Sequence, residues 1–302
     1  MKQAKTTFQN EAQMKAYIDA CEADFTGTLR EVCREAANGG KRILTLAGPS
    51  CSGKTTTAEI LKQEFYALGK HLHTISIDDF YYDRDILAAR AAARGGEIDY
   101  DSPETIDIPF FAEAVREITE CPYATLPRFS FKEGRRTGKR MISCTKSDAF
   151  LFEGIQAVYP ELTKYLAGSP YEALFISVEE SLDVGGVLFE PRELRFMRRL
   201  VRDWKFRASD AENTFTIWQS VIDNEETHIF PNVVEGVTRL DSLLAYEVQV
   251  IGSFVLDVLR TLPAGSAFAP RAAAIAEKLA NVEPIPALLV PKESVFREFI
   301  GN

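Results

Sequence analysis

Eight residues, Gly48-Pro49-Ser50-Cys51-Ser52-Gly53-Lys54-Thr55, restrict this chain more than any other stretch. They fit the pattern G-x-x-x-x-G-K-S/T, and they lie between a short apolar run, Ile43 to Ala47, and a segment of helical composition from about Gly53 to Leu68. Strand, glycine-rich turn and helix give that spacing its purpose. Glycines let the backbone curl until successive N–H groups point at one phosphate, and a helix start adds about half an elementary charge of positive potential. In that setting Lys54 reaches the outer phosphates and the Thr55 hydroxyl faces a divalent cation. Gly48, Ser50, Cys51, Ser52, Gly53, Lys54, Thr55 and Thr56 are therefore the expected polyphosphate-binding residues, with ATP and Mg²⁺ as the expected ligands. Cys51 reads as a small tolerated side chain, because the sequence shows no resolving thiol beside it.

The rest of the chain repeats the alternation. Helical composition from about Glu11 to Ala37 ends at Gly39-Gly40. A second apolar run, Leu72 to Ile77, leads into Asp78-Asp79, and further runs occur at Ala149 to Phe152 and Leu174 to Val178. Strands separated by helices predict an α/β fold of the P-loop NTPase kind: a mostly parallel sheet, helices on both faces, and ligands at the carboxyl ends of the strands. We read residues 1–40 as an N-terminal helical extension, 41–262 as the P-loop kinase domain, and 263–302 as a C-terminal extension packed on it.

Composition narrows the partners. At 302 residues, 46% hydrophobic and 26% charged, the chain has the composition of an ordinary globular protein. Its net charge of −9 argues against broad nucleic-acid or membrane-surface binding, since phosphates would be repelled. Leu243 to Leu262, the longest apolar stretch, carries Glu247, Gln249 and Asp257 and so reads as a packed helix rather than a membrane span. Five scattered cysteines without C-x-x-C spacing, and an N-terminus lacking an apolar signal core, predict reduced thiols and a cytoplasmic location.

Two carboxylate positions and one arginine-rich helix complete the reading. Asp78 and Asp79 follow the second strand, where a carboxylate can orient and deprotonate an attacking hydroxyl. Glu153 ends the run Ala149 to Phe152, the place for an acidic residue on Mg²⁺. In Pro191 to Arg207, Leu194, Met197, Val201 and Trp204 share one helical face and Arg192, Arg195, Arg199 and Arg202 the opposite one. Arg192 and Arg195 are expected in solvent, whereas Arg199, Arg202 and Arg207 are expected on a lid over the transferring phosphoryl group.

These pieces together resemble the uridine kinase and phosphoribulokinase-like family of P-loop kinases. The resemblance rests on GPSCSGKTT (48–56), DDFY (78–81), YDSPETID (100–107), PRFSF (127–131), LFEGI (151–155) and RRLVRDWKFR (198–207), in the family's order. The ending SVFREFIGN resembles the tail of a bacterial nucleoside kinase subgroup. The resemblance implies a nucleoside kinase in which Asp78 takes the 5′-hydroxyl proton and Asp101 holds the ribose hydroxyls. Tyr81, Tyr100, Phe129 and Phe131 would line the acceptor side, Glu153 and Thr55 would hold the metal, and Arg199, Arg202 and Arg207 would clamp phosphates. It also implies a small-molecule acceptor and a possible homo-oligomer. Phe129 and Gly134 depart from the pattern: uridine–cytidine kinases carry Tyr and His there, and those side chains hydrogen-bond the pyrimidine. A kinase of the same fold acting on another small alcohol, a sugar phosphate or a pantothenate-like acid, therefore stays open. So does a non-catalytic nucleotide switch, for which Asp183 to Gly186 offers a D-x-x-G but no N-K-x-D accompanies it.

Overall fold

Continuous apolar runs such as Ile43–Ala47 and Ala149–Phe152 suit strands covered on both faces, which is where parallel sheets place them. The computed structural model describes residues 1–301. In chain order the strands are β1 (Lys2–Gln3), β2 (Ile43–Ala47), β3 (His71–Ser76), β4 (Tyr123–Ser130), β5 (Arg135–Ser143), β6 (Asp148–Glu153), β7 (Tyr171–Ser177), β8 (Leu182–Val184), β9 (Val187–Phe189) and β10 (Thr238–Asp241). The helices are α1 (Glu11–Asn38), α2 (Lys54–Ala67), α3 (Arg84–Ala93), α4 (Ile108–Glu120), α5 (Pro160–Thr163), α6 (Pro191–Phe206), α7 (Ala211–Asn224), α8 (Glu247–Leu259), α9 (Ala269–Leu279) and α10 (Arg297–Ile300).

The central sheet is all parallel, in the order β10-β7-β2-β6-β3. One face is covered by α1, α2, α6, α7, α8 and α9 around Leu44, Leu46, Leu61, Leu151 and Met197. The other is covered by α4, α5 and the inner side of β4 around Phe111, Phe150, Phe152 and Leu126. This is the predicted α/β arrangement with helices on both faces. Among the described residues no helix is long and apolar enough to cross a membrane.

Two smaller sheets flank the main one. β1 pairs in parallel with β8, which pairs with β9 through the two-residue turn Gly185-Gly186. Asp183 accepts from the Gly186 N–H at 2.8 Å, so the D-x-x-G is the turn of this hairpin. β4 and β5 form a longer antiparallel hairpin with a bulge at Arg128 and Phe129. Asp79 anchors it by accepting from the Phe129 N–H at 3.0 Å, and Arg136 ties it to Asp107 at 2.7 Å.

α6 differs from the amphipathic helix that the periodicity predicts. It starts with Pro191 and a reciprocal cap between Glu190 and Glu193, and it is then buried on nearly every side from Leu194 to Asp203. Arg195, expected in solvent, is buried, because Glu225 meets its guanidinium with two 2.7 Å hydrogen bonds. Arg198 is buried in the same way, on Glu247 of α8 and the Ser242 carbonyl at 2.8 Å. Trp204, expected on the apolar face, is largely exposed. Arg192 is at the surface, paired with Glu226.

Candidate active site

The carboxyl ends of β2, β3 and β6 lie side by side, and a cavity of about 410 Å³ opens above them. The loop after β2 forms its floor. Gly48 is required there by sterics: a Cβ would lie 2.1 Å from the Ile176 carbonyl oxygen. Cys51 takes a left-handed φ of 61°, a conformation that costs a non-glycine residue about 1 kcal/mol or more and persists only where its surroundings enforce it. Its side chain is buried, in keeping with a small filler. Lys54 turns back on its own loop, donating to the Gly48 and Pro49 carbonyls at 2.8 and 3.0 Å. Burial lowers its pKa, an effect opposed chiefly by the nearby Glu153.

The loop is chemically ready for anions. A carboxylate oxygen of Glu225 already accepts from the Ser50 N–H at 3.3 Å, and the Ser52 hydroxyl is fully buried with no partner among the described residues. Both observations fit a polyphosphate donor. The oxygen donors Thr55 and Glu153 line the same cavity, a hard-ligand pair that suits Mg²⁺ rather than a softer metal.

β3 delivers Asp78 through a single 3-10 turn, Ile77–Phe80. The Asp78 carboxyl is pushed up to about 6, first by burial and then by the Glu153 charge, while Lys54 pulls it down. Asp78 faces the cavity, whereas its neighbour Asp79 is spent on the hairpin. Asp101 also faces the cavity and accepts from Asn224 Nδ2 at 2.9 Å; burial raises its carboxyl, and that hydrogen bond opposes the rise.

An aromatic group closes the acceptor side. Tyr81 is central, with ring centroids at 5.7 Å to Phe129, 6.0 Å to Phe131 and 6.2 Å to Tyr100. Tyr81 and Phe131 line the cavity; Phe129 and Tyr100 touch the Tyr81 ring from outside the cavity wall. The Tyr81 hydroxyl donates to the Tyr100 carbonyl and accepts from Gln156 Nε2 at 2.8 Å, which fixes the ring. Gly134 has φ +67° in the β4–β5 turn, and Arg84 occupies the space a side chain there would take, with Nε and Cζ 3.0 Å from an added Cβ.

Arg199, Arg202 and Arg207 converge on the cavity from α6 and its end. Arg199 donates to the Ser50 hydroxyl at 3.0 Å. All three share one counter-ion, Asp203, at 3.1, 3.0 and 3.6 Å respectively. Of the residues expected from sequence, Gly48, Thr56, Tyr100 and Phe129 lie outside the cavity wall. Thr56 instead faces Glu298 at 3.4 Å.

Four wall or supporting residues were not singled out from sequence: Glu225, Glu298, Gln156 and Asn224. Glu225 starts the π-turn Glu225–Ile229 after α7, and an irregular turn of this kind often marks a functional site, but only the fold reveals it. Glu298 belongs to the SVFREFIGN tail, whose Val295 packs against Gly53 behind the loop.

The chain is similar to known proteins. The profile of the "Phosphoribulokinase / Uridine kinase family" matches residues 43–237, well over half of the chain. A uridine kinase of Lactobacillus johnsonii is 26% identical over 180 residues, spanning 60% of this chain and 76% of that protein. A uridine kinase of Schizosaccharomyces pombe is 28% identical over 169 residues, but this stretch is only 33% of that protein. Among solved structures, YFH7 of Saccharomyces cerevisiae superposes with a TM-score of 0.51 at 12% identity, covering 71% of this chain and 98% of YFH7. That last likeness is one of fold. A phosphate loop at the end of β2, carboxylates at the ends of β6 and β3 and a matched span of this length lead to one conclusion: the chain belongs to the phosphoribulokinase/uridine kinase family and is a small-molecule kinase.

Proposed function

We propose that the protein transfers the γ-phosphoryl group of ATP to the 5′-hydroxyl of a nucleoside. The observation that carries this reading is the pairing of a half-buried Asp78, whose carboxyl is raised, with an aromatic acceptor wall at the mouth of the phosphate loop. Phosphoryl transfer needs positioning and charge stabilisation above all. The acceptor oxygen forms a bond to Pγ, the bond from Pγ to the bridging oxygen breaks, and the hydroxyl proton passes to the Asp78 carboxylate. Lys54, Arg199 and Arg202 stabilise charge on the phosphoryl oxygens, with Arg207 and the loop amides holding the donor. Thr55 and Glu153 would hold Mg²⁺, which would supply positive charge to the donor phosphates. Asp101, steadied by Asn224, accepts hydrogen bonds from ribose hydroxyls.

Phe129 and Gly134 lack the polar groups that read a pyrimidine, and Arg84 fills the room at Gly134. The base is therefore held by stacking on the aromatic wall, with modest discrimination between bases. The same absence favours a second reading, another small alcohol as acceptor.

The test is acceptor-stimulated, Mg²⁺-dependent ADP release with uridine, cytidine, purine nucleosides, ribulose 5-phosphate and pantothenate. Turnover with nucleosides that is lost in Asp78→Asn supports the proposal. Turnover confined to a non-nucleoside moves the acceptor to the second reading, and a rate unchanged by every acceptor rejects both.

A further inference from the structure

His71 and His73 are two apart on edge strand β3, so their side chains leave the same face. Asp148, the first residue of β6, is the cross-strand partner of His71 and joins them there. The three ligand atoms converge. His71 Nδ1 lies 3.1 Å from His73 Nε2, His73 Nε2 lies 3.1 Å from Asp148 Oδ1, and His71 Nδ1 lies 3.5 Å from the same oxygen. Metal–ligand bonds of about 2.1 Å put neighbouring ligands about 3.0 Å apart in octahedral geometry and about 3.4 Å apart in tetrahedral geometry. The observed triangle has those dimensions. We propose that His71, His73 and Asp148 bind a divalent transition-metal ion of the zinc, nickel and copper class.

Three observations support the triangle as a site. Asp148 is oriented from behind: its Oδ2 accepts from the Thr145 N–H and hydroxyl, both at 2.6 Å, and from the Ser143 hydroxyl at 3.1 Å, which leaves Oδ1 turned to the imidazoles. His73 is fixed by stacking on Phe150, with centroids 5.4 Å apart and planes 14° from parallel. Such supporting contacts are what hold metal ligands in place. Hydrogen bonding among the three is also incomplete, since His73 Nε2 meets two acceptor-capable atoms and carries at most one hydrogen. A cation satisfies all three lone pairs at once. Two imidazoles and one carboxylate select transition metals over Mg²⁺ or Ca²⁺, so this site is chemically distinct from the oxygen pair Thr55 and Glu153. It is also remote: the length of β3, about 17 Å, separates His71 from the turn that carries Asp78. The ion ties the start of β3 to the start of β6 and to the turn after β5, leaving coordination positions open to solvent beside His71, which is exposed.

The test is Zn²⁺ competition against a chromophoric chelator, using the untagged, metal-stripped full chain with magnesium in excess, alongside His71→Ala. His71 is at the surface, so this variant folds, and equal thermal midpoints without zinc verify that. We expect one equivalent of Zn²⁺ per chain and at least tenfold weaker binding in His71→Ala, with turnover unchanged. Copper(II) in place of zinc gives an independent readout: magnetic-resonance coupling to two imidazole nitrogens in the wild type and one in the variant. Equal zinc affinity in both proteins, no stoichiometric binding, or copper coupling that the variant leaves intact would each overturn the site.

Discussion

Asp78→Asn should inactivate the enzyme and make it more stable. Burial and Glu153 lift the Asp78 carboxyl from its ordinary 3.8 to about 6. A raised carboxyl pKa means the folded chain holds an ionised group it would rather protonate. The penalty is absent below the unfolded value and fully developed above the folded one, so it grows across about pH 4 to 6 and then stays constant. Each factor of ten in proton affinity is about 1.4 kcal/mol, so at neutral pH the ionised carboxylate costs the fold at most about 3 kcal/mol. Asparagine keeps the shape and removes the charge. With 302 residues at about 2.1 cal/mol/K each, the unfolding entropy is about 0.6 kcal/mol/K, and recovering 1–3 kcal/mol raises the melting temperature by about 2–5 °C. The assay is thermal melting of both proteins at about pH 4 and about pH 7.5, with turnover measured in parallel. The expected result is a gap in melting temperature at the higher pH that closes at the lower, together with a loss of about 10²–10⁴ in kcat. Wild-type kcat/KM should fall on the acid side near pH 6 as the base is protonated. Equal or lower stability of Asp78→Asn at about pH 7.5 would refute the electrostatic argument, and retained turnover would refute the chemical one. Asp79→Asn is the control. Its carboxylate serves the Phe129 N–H, so turnover should persist within about tenfold.

Lys54→Ala should lower kcat by about 10²–10³ with the fold intact by circular dichroism, and near-native turnover would remove Lys54 from phosphate stabilisation. Glu225→Ala leaves the Arg195 guanidinium buried without its partner, a loss of about 3–5 kcal/mol, or about 5–8 °C in melting temperature. The paired replacement Arg195→Met with Glu225→Leu should recover most of that loss, and failure to do so would assign the loss to Glu225's contact with the loop instead. Gly48→Ala forces a Cβ to 2.1 Å from the Ile176 carbonyl oxygen, so nucleotide protection against thermal unfolding should disappear; retained protection would show that the loop can shift.

The legible part of the fold was local. β2, the phosphate loop and α2 were readable to within a residue or two, because apolar run, glycine spacing and helix start are all written in one stretch of chain. Asp78 and Glu153 followed from the same logic, as the residues directly after apolar runs. What escaped depends on partners distant in sequence. Arg195 read as solvated because periodicity places it opposite Leu194 and Met197, and nothing nearby announces that Glu225 will meet it. Arg198 is the same case, with Glu247 supplied by α8. Tyr100 and Phe129 gather at Tyr81 as the motif implies but lie outside the cavity wall, since a motif fixes which residues gather and not which of them lines a cavity.

The counter-ion shared by three arginines changes what kind of receptor the donor site is. Arg199, Arg202 and Arg207 are balanced by Asp203, Arg195 by Glu225, and Glu298, Glu153 and Asp78 stand around Lys54. The cavity is thus not a positive well waiting to be filled; its three arginines already share a carboxylate, and acidic groups stand near the lysine that its own loop carbonyls hold. A polyphosphate enters by exchange, displacing one set of anionic contacts with another, so its grip depends on how well its oxygens fit rather than on bulk attraction. Sulfate, free phosphate and other stray anions, which offer charge without that fit, have little to gain there. In a chain of net charge −9, selectivity at the mouth of the site is won by geometry.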